Sequence, residues 1–427
     1  MKVLRLTTIL FLVAAFFTQC SKDHHPGEEE LMGMFTVTIE NVSPAYDFFQ
    51  SGVATIPDGE TESGPALPGQ SFTFSFYAGK SHKLSFATMY GASNDFFYGP
   101  SGEGIPLYDD DTPITGDITD WIHLWDAGTE VNEEPGVGAN TGPQQPAPNT
   151  GPDENGPIRN IDDVADGYTY PAVNENLLVM IDYDEMTNMF TVTIDNLAGS
   201  TTGISPVVWG IHGADNVLFE EGMPDYGNGL EQVAEDGNFM PLGDYVAIHT
   251  GYASPIAPGV WVLHQQNDLP LFSEDSPDYG QGLEKLAEMG DPSELASALM
   301  NAGYESGVYN MPEDDSEAGP LFPGQKYQFS VAAGAGEYLS FASMLGASND
   351  LFFAPGEMGI KLFDGAVPLS GDITSKIMLW DAGTEVNEYP GAQTAVDAEE
   401  GANVMMVDDG FMYPDVNQII KVTIRKN

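Results

Sequence analysis

The chain repeats itself. Residues 68–135 align without a gap on residues 323–390 at a constant offset of 255, and 40 of the 68 positions are identical. Identity at that level makes the two stretches one structural unit built twice, so whatever fold one takes, the other takes too. The flanks repeat as well. Phe35-Thr36-Val37-Thr38-Ile39 recurs as Phe190-Thr191-Val192-Thr193-Ile194, and Gly167-Tyr168-Thr169-Tyr170-Pro171 recurs as Gly410-Phe411-Met412-Tyr413-Pro414. The closing offset is 243, so the second copy is 12 residues shorter (255 − 243) between motif and close. The missing stretch matches the Pro-, Gly- and Asn-rich segment 135–160, which has the composition of a surface loop. Read in simple succession, the copies place one domain at 35–184 and another at 190–427, each expected to fold by itself.

A smaller tandem lies inside the second copy. Pro206-Val207-Val208-Trp209 with His212 recurs as Pro258-Gly259-Val260-Trp261 with His264, and Pro224-Asp225-Tyr226-Gly227 recurs as Pro277-Asp278-Tyr279-Gly280. The first copy has neither, which predicts an insertion of about 205–302 in the second domain. Helical patterns are expected over 283–288 and 292–300. Elsewhere the pattern is strand: Phe35–Ile39, Ser71–Tyr77, Lys83–Met89 and Lys421–Ile424 are short alternating or β-branched runs bounded by Gly, Pro or Asn. The expected class is all-β: two tandem antiparallel β-sandwich domains, with a few short helices in the insertion of the second. A barrel is the alternative.

Charge narrows the function. Thirteen Lys and Arg stand against 65 Asp and Glu, a formal charge of −52. A chain this acidic is excluded from nucleic acid phosphates and from docking on an anionic membrane face, and it suits surroundings rich in cations. A single cysteine, Cys20, rules out an internal disulfide framework. That cysteine follows Lys2, Arg5 and the apolar run Leu6–Phe17, the layout of an export signal. The run is too short to span a bilayer, which needs about 20 residues. The arrangement resembles a bacterial lipoprotein signal: residues 1–19 removed, Cys20 lipidated, and 20–34 a solvated tether. The Ser21-Lys22-Asp23 that follows resembles the surface-export signals of Bacteroidetes lipoproteins. The expected address is the outer membrane or cell surface, with the membrane reached through the lipid anchor.

The longest unbroken identity in the repeat is Leu124-Trp125-Asp126-Ala127-Gly128-Thr129-Glu130-Val131-Asn132-Glu133, found again as Leu379 to Glu388. The next is Gly91-Ala92-Ser93-Asn94-Asp95, found again as Gly346 to Asp350. Both follow strand-like runs. Loops at one sandwich edge would bring Asp95, Asp126 and Glu130 together, and likewise Asp350, Asp381 and Glu385. Three carboxylates on irregular loops suit calcium, which takes about 6–8 oxygens in tolerant geometry, better than magnesium. The absence of a cysteine cluster or paired histidines disfavours zinc. In a chain with 65 acids the competing reading is that these carboxylates are simply solvated.

The strings Ser85-Phe86-Ala87-Thr88-Met89, Ser93-Asn94-Asp95 and Trp125-Asp126-Ala127-Gly128-Thr129-Glu130, with their second copies, resemble the spondin N-terminal domain. This is the domain of F-spondin and mindin, here in a two-copy bacterial lipoprotein form. The resemblance implies an antiparallel β-sandwich, a calcium ion held by the six acids just named, and a role in adhesion or extracellular-matrix binding. Glu130 and Glu385 stand where the animal domains usually carry aspartate. No catalytic constellation recurs: His82 and His123 become Glu337 and Met378 in the second copy, and His212 and His264 are expected at strand ends in structural roles. The expectation is a non-enzymatic protein that binds an extracellular ligand, protein or glycan. A polysaccharide-directed hydrolase or a carbohydrate-binding protein is the alternative.

Cys20→Ser is expected to move the protein from the membrane to the soluble fraction. Unchanged fractionation, with an intact mass that places the cleavage elsewhere, would remove the lipid anchor.

Overall fold

The computed structural model describes residues 31–142, 144–392 and 398–427. Cys20, the expected export signal and the expected tether up to residue 30 lie outside these residues. The chain runs β1 (Met32–Asn41), β2 (Gln50–Ala54), β3 (Ser71–Tyr77), β4 (Lys83–Met89), β5 (Phe96–Gly99) and β6 (His123–Asp126). It continues through β7 (Leu177–Asp184), β8 (Met189–Asn196), β9 (Val207–His212), and the helices α1 (Leu230–Asp236) and α2 (Met240–Ile248). Then come β10 (Ile256–His264), α3 (Leu283–Met289), α4 (Ser293–Ala302), β11 (Glu305–Tyr309) and β12 (Lys326–Gly334). It ends with β13 (Tyr338–Leu345), β14 (Leu351–Pro355), β15 (Ile377–Asp381) and β16 (Ile420–Lys426). The fold is all-β, built from antiparallel sheets of sandwich type with few helices.

These strands make two modules of like design. In module I, a small sheet ordered β3-β8-β7 packs on a large sheet ordered β6-β5-β4-β9-β2, whose free edge is extended by Arg159–Asn160. In module II the small sheet is β12-β1-β16 and the large sheet β11-β10-β13-β14-β15, extended by Met405–Met406. Between the sheets of module I lie Phe72, Phe76, Phe86, Tyr98, Val192 and Ile211; between those of module II lie Val37, Phe341, Phe353, Val422 and Ile424. The other face of each large sheet is covered by a helix pair. Val208, Phe97 and Trp125 meet Leu230, Val233 and Leu242 in module I, and Val260, Phe352 and Trp380 meet Leu283, Leu286 and Leu295 in module II. A sheet buried on both faces needs apolar side chains on both. This is why Leu84–Met89 are buried without a break.

The sheet registers overturn the expected domain boundaries. β1 does not join the strands that follow it. It pairs with β12 (Val37↔Phe329) and with β16 (Val37↔Ile424), and so sits inside module II. β8, expected to open the second domain, pairs with β3 (Val192↔Phe74) and with β7 (Val192↔Ile181), and so belongs to module I. The expected insertion at 205–302 is likewise divided: β9 pairs with β4 in module I, and β10 pairs with β13 in module II. Each tandem element is therefore a regular part of one module. The units are not 35–184 and 190–427. Module I is a continuous stretch of roughly 46–251 set into module II, which consists of the chain before it and the chain after it. Relative to module II, the strand order of module I is circularly permuted.

The junction supports this topology locally. Phe48 and Thr250 form a parallel bridge, with Phe48 N–H donating to His249 O at 3.1 Å and Gly251 N–H to Phe48 O at 3.1 Å, so the chain enters and leaves module I side by side. Close ends are what allow one domain to be inserted into another. Two asparagines mark the same point. Asn196 Nδ2 donates to Ala66 O and to Thr202 O, six residues ahead. Its counterpart Asn41 donates to Leu321 O and to Ser254 O, 213 residues ahead, because module I intervenes. The modules also touch through aromatic rings: Tyr77 stacks on Tyr389 at 4.2 Å, and Phe49 meets Tyr389 edge-on at 5.9 Å.

Residues 46–251 expressed alone are expected to unfold in one cooperative transition. Residues 190–427 lack β1, the strand between β12 and β16, and should aggregate unless a peptide covering 31–45 is added. Unaided cooperative folding of 190–427 would contradict the strand assignment.

Candidate functional site

The motif loops leave the large sheet at its free edge. In module I, β5 and β6 pair with Phe96 opposite Asp126, which sets Asp95 beside Asp126. In module II, Leu351 opposes Asp381 and sets Asp350 in the same place. The Asp-Ala-Gly turn is fixed by its first side chain: Asp126 Oδ1 accepts from Gly128 N–H at 2.7 Å, and Asp381 Oδ1 from Gly383 N–H at 2.7 Å. The glycines are obligatory. Both hold φ near +68°, and a Cβ there would lie 2.6 Å from Pro157 O or 2.8 Å from the Ala402 carbonyl carbon. The turn brings two further amides onto the first aspartate. Asp95 Oδ2 accepts from Thr129 N–H (3.1 Å) and Glu130 N–H (3.0 Å), and Asp350 Oδ2 from Thr384 N–H (2.8 Å) and Glu385 N–H (3.1 Å).

Asp95, Asp126, Glu130, Asp350 and Asp381 are thus buried rather than solvated, and Glu385 is half-buried. The remaining lone pairs stand out. Asp95 Oδ1, Glu130 Oε2 and Asn132 Oδ1 in module I, and Asp350 Oδ1 in module II, are buried and accept no hydrogen bond. The other Glu130 oxygen accepts from Gly151 N–H at 2.7 Å, and Glu130 and Glu385 each form a bridge with the returning strand, at Asp153 and Glu399. Burial, with Asp126 next to it, pushes the Asp95 carboxyl well above the usual aspartate range. Burial, with Asp381 beside it, pushes Asp350 up to about 6, and burial also raises Asp381 and Glu130.

Four participants were not singled out in the sequence. Asn132 and Asn387, each within the repeated string, donate to Asp126 Oδ2 (3.0 Å) and Asp381 Oδ2 (2.5 Å). Glu235 of α1 is buried against Thr129 and Glu130, and burial raises its carboxyl to about 7. Arg159 donates through Nη2 to Asp126 Oδ2 at 2.7 Å and to Glu154 Oε1 at 2.9 Å. The signal for the arginine was its rarity, as one of 13 basic residues in the whole chain.

The residues fit a hard cation by the chemistry of their donors. Orphaned carboxylate and amide oxygens are what such an ion takes, and burial without a partner is costly for each of them. Among the described residues no three side chains of His, Cys, Asp and Glu gather closely enough to hold a metal by themselves. At the motif loops of module I the orphaned oxygens belong to two carboxylates and an amide, with Arg159 Nε orphaned beside them, and module II has one orphaned carboxylate oxygen.

The other conspicuous residues have structural places. His212 Nε2 lies 2.8 Å from Ser85 Oγ and its Nδ1 2.6 Å from Ala214 O; His264 repeats this with Ser340 at 2.9 Å and Gln265 O at 2.9 Å. Nδ1–H donates to the carbonyl, so Nε2 accepts from the hydroxyl, the polarity of a nucleophilic pair. All four side chains are buried, and Gly104 and Gly359 pack directly over them. Burial lowers His212 to about 4 and keeps it neutral. These pairs tie β9 to β4 and β10 to β13. Trp125 and Trp380 are core residues, their indole N–H groups donating to Gly99 O and Ala354 O. Trp121 is exposed. A crevice of about 560 Å³ runs between the modules, lined in part by Phe49, Lys80, His82, Pro255 and Gly346, and a second of about 410 Å³ adjoins it at Trp209, Tyr252 and Tyr389.

No family model matches the chain, and no curated protein matches it.

Asp350 fixes the sign of a pH dependence. Its folded carboxyl titrates near 6 against an ordinary value of 3.8, so the folded chain holds a proton that the unfolded chain has released between those values. That contribution to stability is complete below about pH 4 and is lost as pH rises through 6. In chelator, melting is expected a few degrees higher at pH 5 than at pH 7, and Asp350→Asn should flatten part of the difference. Equal flattening by Asp364→Asn, at an exposed carboxylate, would assign the effect to general charge repulsion.

Proposed function

We propose that the chain is an exported, lipid-anchored surface protein whose two modules hold calcium at their motif loops and bind an extracellular ligand. The observation that carries this reading is that four of the buried oxygens without partners lie at the motif loops: Asp95 Oδ1, Glu130 Oε2 and Asn132 Oδ1 in one module, and Asp350 Oδ1 in the other. Asp126 and Asp381 complete the sites through their place beside Asp95 and Asp350. Bound calcium supplies the positive charge that these oxygens lack and ties two loops of one sheet edge together. The protein residues do the rest: the turn amides hold one oxygen of Asp95 and Asp350, and leave the other free for a ligand.

The likeness to spondin N-terminal domains favours adhesion over catalysis and rests on the quoted residues alone. The inter-module crevices offer a ligand room, since clefts between domains are preferred binding places. Their rings at Phe49, Tyr252 and Tyr389, with the amide of Gln50 and the hydroxyl of Ser51, favour a glycan as a second reading.

Calcium titration of metal-stripped protein is expected to show saturable binding, with melting rising as RT ln(1 + [Ca]/Kd), about 2.7 kcal/mol at a hundredfold excess over Kd. Magnesium should do much less. Asp95→Asn and Asp350→Asn should each remove one site. A glycan array and a hydrolase screen, both run with calcium, separate the glycan and enzyme readings from protein adhesion. Only diffuse, unsaturable binding would return these acids to a structural role.

A further inference from the structure

The motif loops are copies, yet the strand beside them differs in charge. Three pairings fix the equivalence. Glu154 N–H donates to Thr129 O, as Glu400 N–H does to Thr384 O; Gly156 N–H donates to Gly128 O, as Ala402 N–H does to Gly383 O. In the sheet, Arg159 opposes Asp126 and Met405 opposes Asp381. Where module I places a guanidinium between Asp126 and Glu154, module II places a thioether that is 41% exposed. Asp381 and Glu400 stand at the matching positions without a guanidinium, Asp381 buried and Glu400 exposed.

We infer that the two modules are unequal toward calcium: Arg159 is a resident counter-ion that weakens calcium binding in module I, and in module II the ion takes the place left by the guanidinium, between Asp381 and Glu400. This inference rests on the calcium reading above. An arginine stays protonated at any pH the fold survives, so its charge cannot be shed when a cation arrives. A fixed unit charge a few ångströms from a divalent ion weakens binding by on the order of tenfold or more, even at a high effective dielectric constant. The unpartnered motif oxygens, three in module I and one in module II, would by themselves favour module I. Besides the exposed Glu134, where module II has Tyr389, a further acid favours module I: Asp236, where module II has Met289. It is half-buried, accepts from Gln145 Nε2 at 3.0 Å, and lies on the Glu130 side. Arg159, by contrast, contacts a fully buried Asp126 directly. The guanidinium sits on a motif carboxylate itself, and that direct contact sets the sign.

The test is calorimetric titration of the full chain, stripped by chelator, with calcium chloride. The wild type should show one tight site and one at least tenfold weaker. Asp381→Asn should remove the tight site. Arg159→Met should bring the weak site close to the tight one, and Met405→Arg should abolish the tight site and leave the weak one. Circular dichroism checks each fold. Should Arg159→Met unfold, Met405→Arg still decides the matter, because it changes a half-exposed position. Two equal sites in the wild type, or a tight site untouched by Met405→Arg, overturn the inference while leaving calcium binding in place. No saturable binding in any folded variant removes the calcium reading and the inference with it.

Discussion

The position of β1 between β12 and β16 governs the rest of the architecture. A strand in the interior of a sheet has both edges hydrogen-bonded, so module II cannot close its small sheet without the first strand of the chain. Everything between β1 and β10 must then leave module II and return to nearly the same point. The insertion meets that demand by being a complete domain with adjacent ends at Phe48 and Thr250. The β7–β8 hairpin, which joins Asp184 to Met189, closes in module I the gap that in module II lies between β16 and β1. One ring of strands has thus been cut at two different places.

Much of this was legible, and what was not has a physical reason. The repeat announced two copies of one fold, and period-2 runs announced strands. The helices at 283–289 and 293–302 fall where the pattern puts them. The assignment of strands to modules was not legible. Phe35–Ile39 and Phe190–Ile194 are the same string, so nothing local tells either strand which sheet to join. Only the long-range register decides, and it places the first in the far module. The tandem at 206–212 and 258–264 was the clue: two copies inside one supposed domain, and none in the other, is what an insertion between β1 and β10 produces.

The site was legible in its acids and not in its charge balance. Identity marked Asp95, Asp126 and Glu130; the turn needs the first two side chains and only the backbone amide of the third. Arg159 falls in the segment where the copies diverge in length, so no alignment by constant offset pairs it with Met405. Asn132 has no charge to mark it in a sequence, although its oxygen is as available to a cation as a carboxylate's.

Charge explains why that one arginine matters more than its count implies. Surface carboxylates in a chain of net charge −52 are screened by solvent ions, and adding or removing one base changes little there. Asp95 and Asp126 are fully buried and share one turn, where screening is weak. Two ionised carboxylates in such a place need a positive partner, a proton, or a protein-supplied lattice of amides. Module I uses amides and a guanidinium. Module II has the amides alone, and burial raises both Asp95 and Asp350 whichever partner stands beyond them. The same turn is therefore built with two different neighbours, and the difference in direct contact with the motif aspartate is a residue on the edge strand. An edge position has no second sheet neighbour to satisfy, so it can exchange a charged side chain for an apolar one without disturbing the turn it faces.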